Sequence, residues 1–482
     1  MTVAFESAVE LAHRIRNKEI GSRELTDLYI GRIERYDGVL NAVVVRDFER
    51  ARAAADAADR ALAEGRDLGP LHGLPMTIKE SYDIAGLPTS WGVPEFRDNV
   101  AGSDAQVVKR FKAAGAHFMG KTNVPVNLAD FQSYNDIYGT TGNPWDPART
   151  PGGSSGGSAA ALAAGLTGLD SGSDIGGSIR NPAHFCGVYG HKPTWGVVPF
   201  QGHMLPGMVA PPDIAVVGPL GRSAEDLALA MDVIAGPDPL HAPGWKLDLP
   251  RPSKQSLKDY RVALWPSDAR APVATEIADR VQAAGDLLAG LGARVSDTAR
   301  PAIDVDASHR LYGCMLQGVM AAGIPDEPFA EMTAQVAALD PADDSSAANM
   351  ARAAVQRHRD WVRNNNVRET LRVAWREFFD EWDILLCPQM ATPAFSHDHQ
   401  PFEVRTLTVD NEQQPYFQQV FWAGLITVAF LPSTVFPTGP SHDGLPIGLQ
   451  AVGAEFNDYT CIDFARLLGR ELGGFTAPPG YA

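Results

Sequence analysis

Apolar residues near the start of the chain recur with the spacing of an amphipathic helix. At 3.6 residues per turn, one face of the first such segment carries Leu25, Leu28, Tyr29 and Ile33. A second segment, at residues 47–64, is rich in Ala, Arg and Asp, which is typical of a helix with one solvated face. The pattern therefore predicts helices over the N-terminal region.

Strand-like runs appear later in the chain, between further helical segments. Val107, Val108 and Phe111 have helical spacing and lead into an apolar run at residues 115–122. Two more short apolar runs, at residues 382–387 and 426–436, have the length and composition of strands in a core sheet. This alternation of helices and strands favours the α/β class.

Two glycine-serine runs interrupt this pattern. Residues 152–157 match G-x-S-x-G twice, and a second Gly-Gly-Ser lies at residues 176–178. A nucleophile elbow needs a hydrophobic strand just before its serine, but residues 143–151 contain three prolines and are predicted to be an extended loop. A phosphate-binding loop needs Gly-Lys-Ser/Thr, which is missing here, and the apolar flanks disfavour a flexible linker.

Taken together, the motifs resemble the amidase signature family. The resemblance is carried by residues 73–80, 152–158, 174–182, 185–193 and 444–450, and it is weakest at about 237–380. It implies an α/β/α sandwich around a large mixed, twisted β-sheet. It also implies a single domain over residues 1–482, with a signature core at about 70–225 and a more variable region at about 237–380.

The resemblance implies a catalytic triad of Lys79, Ser154 and Ser178. Ser178 follows Ser154 by 24 residues, which is the separation that the family shows. A serine hydroxyl is a weak nucleophile, so Ser154 would pass its proton to a neutral Lys79. Bringing a lysine pKa from about 10.4 to near 7 requires roughly 4 kcal/mol, within the range that burial supplies.

The residues around the serines are expected to shape the site. The backbone N–H groups of Ile175, Gly176, Gly177 and Ser178 are the candidate oxyanion hole. Structural support is expected from Gly153, which the family joins to its bridging serine by a cis peptide bond, from Ser155, and from an ion pair between Asp174 and Arg180.

Candidate substrate-binding residues are aromatic or contain sulfur. They are Phe131, Tyr134, Phe200, Met204 and Cys314. Such side chains suit an apolar, adaptable acyl or aryl site, although ordinary core packing explains them equally well, and explains Cys314 better.

Composition narrows the function classes. The chain has 58 acidic and 41 basic residues and a formal net charge of -17, with no basic tract, so a nucleic-acid partner is not expected. No apolar run approaches the 18 or so residues of a membrane span, and a cytoplasmic location is expected. The four cysteines are too widely spaced for paired metal-ligand motifs, and the triad chemistry requires neither metal nor organic cofactor.

The resulting hypothesis is an enzyme, acting as a monomer or homodimer, that hydrolyses the C–N bond of a small amide, aryl amide or carbamate through a serine acyl-enzyme. Esters are a further possible substrate class. One alternative is the amidase-type subunit of a tRNA-dependent glutamine amidotransferase, and another is a catalytically silent binding protein of the same fold. The first is disfavoured because that subunit usually has Tyr-Gly after its Lys-Pro-Thr, where this chain has Trp195 and Gly196.

Overall fold

The computed structural model describes residues 2–482. The α-helices are α1 (Ala8–Arg16), α2 (Ser22–Leu40), α3 (Phe48–Ala63), α4 (Gln106–Ala113), α5 (Gly156–Ala163), α6 (Arg180–Cys186), α7 (Ala224–Ile234), α8 (Thr275–Gly290), α9 (Val305–Met320), α10 (Asp326–Ala337), α11 (Ser346–Ala354), α12 (His358–Glu381), α13 (Val420–Thr427) and α14 (Asp458–Glu471). The strands are β1 (Val43–Arg46), β2 (Pro75–Lys79), β3 (His117–Thr122), β4 (Tyr134–Asn135), β5 (Gly139–Thr140), β6 (Asp170–Asp174), β7 (Tyr189–Lys192), β8 (Val216–Gly221), β9 (Arg261–Leu264), β10 (Arg294–Ser296), β11 (Ile384–Pro388), β12 (Thr406–Val409), β13 (Glu412–Pro415), β14 (Ser433–Pro440) and β15 (Pro446–Val452). Short 3-10 helices lie at Val3–Phe5, Pro94–Phe96, Val126–Leu128, Leu257–Asp259, Ala321–Gly323, Phe402–Val404 and Tyr416–Gln419.

The largest sheet within residues 2–482 has eight strands in the order β10-β9-β11-β15-β14-β7-β8-β6. Strand β9 runs parallel to both β10 and β11, and the pairings from β11 onward to β6 are antiparallel. The sheet is therefore mixed, and the predicted α/β class with a large mixed sheet is confirmed.

Helices cover both faces of this sheet, as strand β11 illustrates. Ile384 and Leu386 belong to a hydrophobic cluster that includes Val281 and Leu288 of α8. Leu385 and Cys387 belong instead to a cluster that includes Trp375 of α12 and Trp422 of α13. Since successive side chains of a strand point to opposite faces, α8 packs on one face and α12 and α13 on the other.

A smaller sheet, in the order β1-β3-β2, lies beside the edge strand β6. The Thr77 backbone N–H donates to the Leu169 carbonyl at 3.3 Å, and the Thr77 hydroxyl donates to Asp170 Oδ2 at 2.6 Å. These contacts hold β2 against the start of β6. As a result, Lys79, the last residue of β2, faces the strand that leads into the second glycine-serine run.

The N-terminal helix predictions are confirmed. The first helical face lies in α2, where Leu25, Tyr29 and Ile33 are fully buried, and residues 47–64 form α3. Helix α2 begins with a capping interaction in which the Gly21 N–H donates to Glu24 at 3.4 Å.

One strand prediction is wrong over most of its length. Residues 382–387 do lead into a core strand, but in the run 426–436 α13 ends only at Thr427 and β14 begins only at Ser433. Helix α13 is buried on all sides, so its sequence carries no polar face. Only residues 426–427 of the run belong to this helix, and residues 428–432 form the buried connection to β14, whose apolar side chains give the same pattern as a strand.

Candidate active site

The two glycine-serine runs occupy different loops that meet. The first follows a loop rather than a strand and leads into α5, while the second connects β6 to α6. The Ser155 N–H donates to the Ser178 carbonyl at 3.1 Å. The Asn181 side chain donates to the Gly153 carbonyl at 2.8 Å and accepts from the Gly153 N–H at 3.1 Å. Ser178 of the second loop and Asn181 at the start of α6 thus fix the backbone of the first loop.

Glycine is required where these loops approach neighbouring residues closely. A Cβ at Gly153 would lie 2.4 Å from the Asp130 carbonyl oxygen. Gly177 has φ of 105°, and a Cβ there would lie 2.7 Å from Gln389 Nε2. A side chain at Gly153 would clash with the backbone of Asp130 and Gln132, and one at Gly177 would strain the backbone and displace the Gln389 side chain. The peptide bond between Gly153 and Ser154 is cis.

Lys79 is fully buried and lies against two serine hydroxyls. Its Nζ donates to Ser154 Oγ at 2.6 Å and to Ser173 Oγ at 2.8 Å. Burial lowers the pKa of Lys79 to about 7, while the carboxylates of Asp174 and Asp170 act in the opposite direction. A substantial fraction of Lys79 is therefore neutral near pH 7 and able to accept a proton from Ser154.

Asp174 and Arg180 form a buried, bidentate ion pair. Arg180 Nη2 donates to Asp174 Oδ1 at 2.9 Å and Arg180 Nε donates to Asp174 Oδ2 at 3.0 Å. Burial opposes ionisation of Asp174, but the Arg180 charge and hydrogen bonds outweigh it and lower the pKa of the carboxyl to about 2. Asp174 also accepts from the Ile179 N–H at 3.1 Å, so the pair fixes the loop around Ser178.

The second loop also presents backbone donors. Among the residues that the structure describes, the N–H groups of Ile175, Gly176 and Ser178 have no protein acceptor. The N–H of Gly177, which the sequence predicts to join them, instead donates to Asp174 Oδ1 at 2.8 Å. The carboxylate that holds the loop thus takes up the Gly177 donor in this structure, and the place of this N–H in an oxyanion hole stays a prediction.

Ser178 lies where two cavities meet, and its side-chain oxygen has no hydrogen-bond partner within residues 2–482. We call the cavity that also contains Ser154 the first cavity; its apolar and aromatic wall is formed by Trp91, Phe200, His203, Met204, Leu205 and Met208. We call the other the second cavity; its wall includes Phe131, Leu316, Gln317, Phe402, Phe417 and Val420. An open hydroxyl at this junction is placed to meet a substrate.

The predicted substrate-binding residues divide accordingly. Phe200 and Met204 line the first cavity, and Phe131 lines the second. Tyr134 lines neither cavity, because its hydroxyl donates to Asp130 at 3.2 Å and accepts from Arg405 at 2.7 Å in the wall behind the second. Cys314 lines a separate groove among α9, α10, α11 and α12. The structure therefore does not bring Tyr134 and Cys314 to Ser178.

Sequence reasoning missed two polar residues near the site. Ser173 accepts a hydrogen bond from Lys79. The only sign of this role in the sequence is its position on β6, just before the second glycine-serine run. His203 lies in the wall of the first cavity, with its Nε2 2.8 Å from Ser81 Oγ and its ring packed edge-on against Tyr82. Burial lowers the pKa of His203 well below its usual value, so its imidazole is neutral.

The fold and the site together define an α/β protein with a buried lysine beside two serine-bearing glycine loops. The amidase family model matches residues 24–462, and the chain belongs to this family, whose members hydrolyse amide C–N bonds.

Two curated relatives differ in their named activities. The indoleacetamide hydrolase of Bradyrhizobium diazoefficiens is 34% identical over 481 residues, covering 97% of this chain and 86% of the relative. A glutamyl-tRNA(Gln) amidotransferase subunit of Anaeromyxobacter dehalogenans is 33% identical over 482 residues, covering 96% of this chain and 95% of the relative. The activity within the family is therefore not decided by overall similarity.

A solved structure shows the same architecture. A bacterial aryl acylamidase of the amidase signature family aligns with a TM-score of 0.80 at 27% identity, covering 97% of this chain and 96% of that one. The predicted amidase signature fold is thereby confirmed. None of the helices within residues 2–482 is both long and apolar enough to cross a membrane.

Proposed function

We propose that this protein hydrolyses the C–N bond of a small amide, aryl amide or carbamate, with Ser178 as nucleophile, Ser154 as proton relay and Lys79 as base. The observation that carries the proposal is the 2.6 Å contact between Lys79 Nζ and Ser154 Oγ. Ser154 lies in the wall of a cavity that also contains the open hydroxyl of Ser178. A hydroxyl that contacts a neutral lysine can take a proton from a second serine and pass it on, which activates a weak nucleophile.

Acylation begins when Ser178 Oγ attacks the carbonyl carbon. The Ser178 proton moves to Ser154 Oγ, and the Ser154 proton moves to Lys79 Nζ. The carbonyl oxygen becomes an oxyanion, and we expect the N–H groups of Ile175, Gly176 and Ser178, which have no acceptor among the described residues, to stabilise it. Removal of one such donor typically costs about 100-fold or more in rate.

The tetrahedral intermediate then collapses. Lys79 returns its proton through Ser154 to the substrate nitrogen, the C–N bond breaks, and the amine leaves. Water attacks the Ser178 ester with the same relay taking its proton; the ester C–O bond breaks, the acid is released, and the proton returns to Ser178 to regenerate the free serine. A carbamate follows the same steps, because its carbonyl carbon also bears a nitrogen leaving group.

The buried ion pair of Asp174 and Arg180 supports this chemistry indirectly. It holds the loop that carries Ser178 through the N–H groups of Gly177 and Ile179. The Asp174 carboxylate of this pair also raises the pKa of Lys79, and it therefore limits how far burial lowers that pKa. We assign Asp174, Arg180, Gly153 and Ser155 to positioning rather than to proton transfer.

A substrate panel tests the proposal. Purified protein is incubated with p-nitroanilides, aryl carbamates and short aliphatic amides, and release of amine and acid is followed. We expect turnover of anilides or carbamates that is lost in Ser178→Ala. Turnover that persists in this variant would contradict the serine mechanism.

A second candidate function is glutamine hydrolysis, because the amidotransferase relative is about as similar as the hydrolase. Ammonia release from glutamine in the same panel would favour it. Anilide turnover without glutamine turnover would favour the small-amide hydrolase.

A further inference from the structure

One buried hydroxyl donates into the loop that carries Ser178. Tyr312 lies on α9, and its side chain is fully buried. Its hydroxyl donates to the Ile175 carbonyl at 3.1 Å. Among the described residues, it is the only donor to that carbonyl. A side chain from a distant helix therefore holds a backbone group of the second loop.

The Ile175 carbonyl and the Gly176 N–H belong to the same peptide group. That peptide bond is trans, so its C=O and N–H point in opposite directions within one plane. The Gly176 N–H has no acceptor among the residues that the structure describes, and it is one of the donors expected to stabilise the oxyanion. A contact that holds the carbonyl oxygen therefore also sets the direction of this N–H.

Close packing on two sides holds the Tyr312 side chain in place. A Cβ at Gly424 of α13 would lie 2.6 Å from Tyr312 Cδ1, so a larger residue there would displace the ring. On the loop side, a Cβ at Gly176 would lie 3.0 Å from the Tyr312 hydroxyl oxygen. Rotation of the loop peptide would break the hydrogen bond to Tyr312, and the ring has no room to follow it.

We propose that Tyr312 is a positioning residue for the oxyanion hole, because its hydroxyl fixes the peptide between Ile175 and Gly176 with the Gly176 N–H directed at the reacting carbonyl oxygen. This inference rests on the function proposed above. A hydroxyl that donates to a peptide carbonyl also polarises the amide and strengthens its N–H as a donor, by about 10–30% per bond. Burial raises the pKa of the Tyr312 phenol above its usual value, so the hydroxyl keeps its proton over the whole range in which Lys79 titrates.

Tyr312→Phe tests the inference, because it removes the hydroxyl and keeps the ring. An interaction made only in the transition state changes kcat and kcat/KM equally, and KM should therefore change less than about 2-fold. We expect kcat for an amide substrate to fall about 5- to 30-fold. This is less than the roughly 100-fold effect of removing an oxyanion donor outright, since the Gly176 N–H remains.

A trifluoromethyl ketone with the acyl group of that substrate supplies a second measurement. Ser178 Oγ adds to its carbonyl carbon, the Ser178 proton moves through Ser154 to Lys79, and the ketone oxygen becomes the oxyanion of a hemiketal. Its inhibition constant should rise by the factor by which kcat/KM falls. The matching primary alcohol forms no oxyanion, and its inhibition constant should change less than about 2-fold.

Tyr29→Phe is the matched control. Tyr29 on α2 is fully buried, its hydroxyl donates to the Ala4 carbonyl at 3.3 Å, and the residue lines neither cavity. Loss of this hydroxyl also removes a buried hydrogen bond, but kcat and the ketone inhibition constant should stay within about 2-fold of the wild-type values. Thermal melts of both variants separate loss of folding from loss of rate.

Gly424→Ala provides a second variant if Tyr312→Phe folds poorly. The added Cβ would displace the Tyr312 ring, and the hydroxyl would move with it away from the Ile175 carbonyl. We expect kcat to fall and the ketone inhibition constant to rise, as for Tyr312→Phe.

Three outcomes overturn the inference. If the folded variants keep the kcat and the ketone inhibition constant of the wild-type protein, Tyr312 does not position the oxyanion hole, and the serine mechanism is unaffected. If Tyr312→Phe raises KM and leaves kcat unchanged, the hydroxyl binds the substrate instead. If turnover persists in Ser178→Ala, the proposed function itself fails, and the inference fails with it.

Discussion

Two fully buried lysines, Lys79 on β2 and Lys192 on β7, have closely similar electrostatic properties but different surroundings. Burial lowers the pKa of each to about 7. Lys79 Nζ lies against the hydroxyls of Ser154 and Ser173, whereas Lys192 Nζ donates to the Pro193 carbonyl at 2.8 Å. Among the described residues, that carbonyl is the only hydrogen-bond acceptor of Lys192 Nζ.

The difference shows that a lowered pKa does not identify a catalytic base. Desolvation disfavours the charged form of any buried lysine, whatever its neighbours are. A base must also contact a group that carries a transferable proton and reaches the substrate, and a carbonyl oxygen carries none. Lys79 meets this condition because it contacts the Ser154 hydroxyl, which lies in the wall of the first cavity. Lys192 does not meet it.

The largest expected effect comes from replacing each lysine by methionine, which is similar in length and uncharged. Lys79→Met removes the base and should lower kcat/KM at least about 10³-fold, as expected for loss of a general base. Lys192→Met should keep most of the activity but lose about 1–3 kcal/mol of folding free energy, because the Pro193 carbonyl loses its donor. Amide turnover and urea denaturation of both variants measure these effects.

Thermal melts and circular dichroism of the two methionine variants serve as the control for folding. The comparison fails if folded Lys192→Met loses as much activity as Lys79→Met. It also fails if Lys79→Met remains active.

A smaller effect is expected from the neighbouring serines of the first run. Ser154→Ala breaks the relay and should slow acyl-enzyme formation about 10²- to 10³-fold. Ser155 instead links the loops, since its hydroxyl donates to the Ser173 carbonyl at 3.3 Å, so Ser155→Ala should change the rate less than about 10-fold. Rapid-quench measurement of the acyl-enzyme burst in the Ser154→Ala and Ser155→Ala variants distinguishes the two roles. Equal slowing by both substitutions would show that loop support, rather than proton relay, explains Ser154.

The smallest effect concerns pH. The base must be neutral, so kcat/KM should rise as pH increases through about 7 and then level off. Asp170, whose own pKa burial raises to about 7, raises the pKa of Lys79 when it is ionised, so Asp170→Asn should move this rise to lower pH, by less than about one unit.

Lys192→Met is the matched control for the pH profile, because Lys192 also titrates near pH 7 but lies outside the relay. Its profile should match that of the wild-type protein. If the pH profile moves with Lys192→Met and not with Asp170→Asn, the titration belongs to Lys192, and its assignment to Lys79 is wrong.

The motif residues could be predicted from the sequence, but several of their contacts could not. Lys79, Ser154 and Ser178 stand out by resemblance, and the Asp174–Arg180 pair follows from opposite charges beside the loop. Ser173 could not be identified, because its contact with Lys79 exists only where β2 lies against β6.

Two further contacts could not be predicted from the sequence for similar reasons. The sequence places the Gly177 N–H in the oxyanion hole because a loop sequence does not reveal which donors a neighbouring carboxylate will take. The position of Cys314 in another groove depends on how α9 packs, and its apolar segment carries no information on which side of the helix faces Ser178.

The most direct test of the account is to locate the covalent adduct. Protein treated with a fluorophosphonate, and protein quenched during amide turnover, are digested and mapped by mass spectrometry, with Ser178→Ala as the control. We predict one adduct, on the peptide at Ser178, and none in the control. An adduct on Ser154, Ser155 or Ser158 would contradict the assignment of Ser178 as the nucleophile.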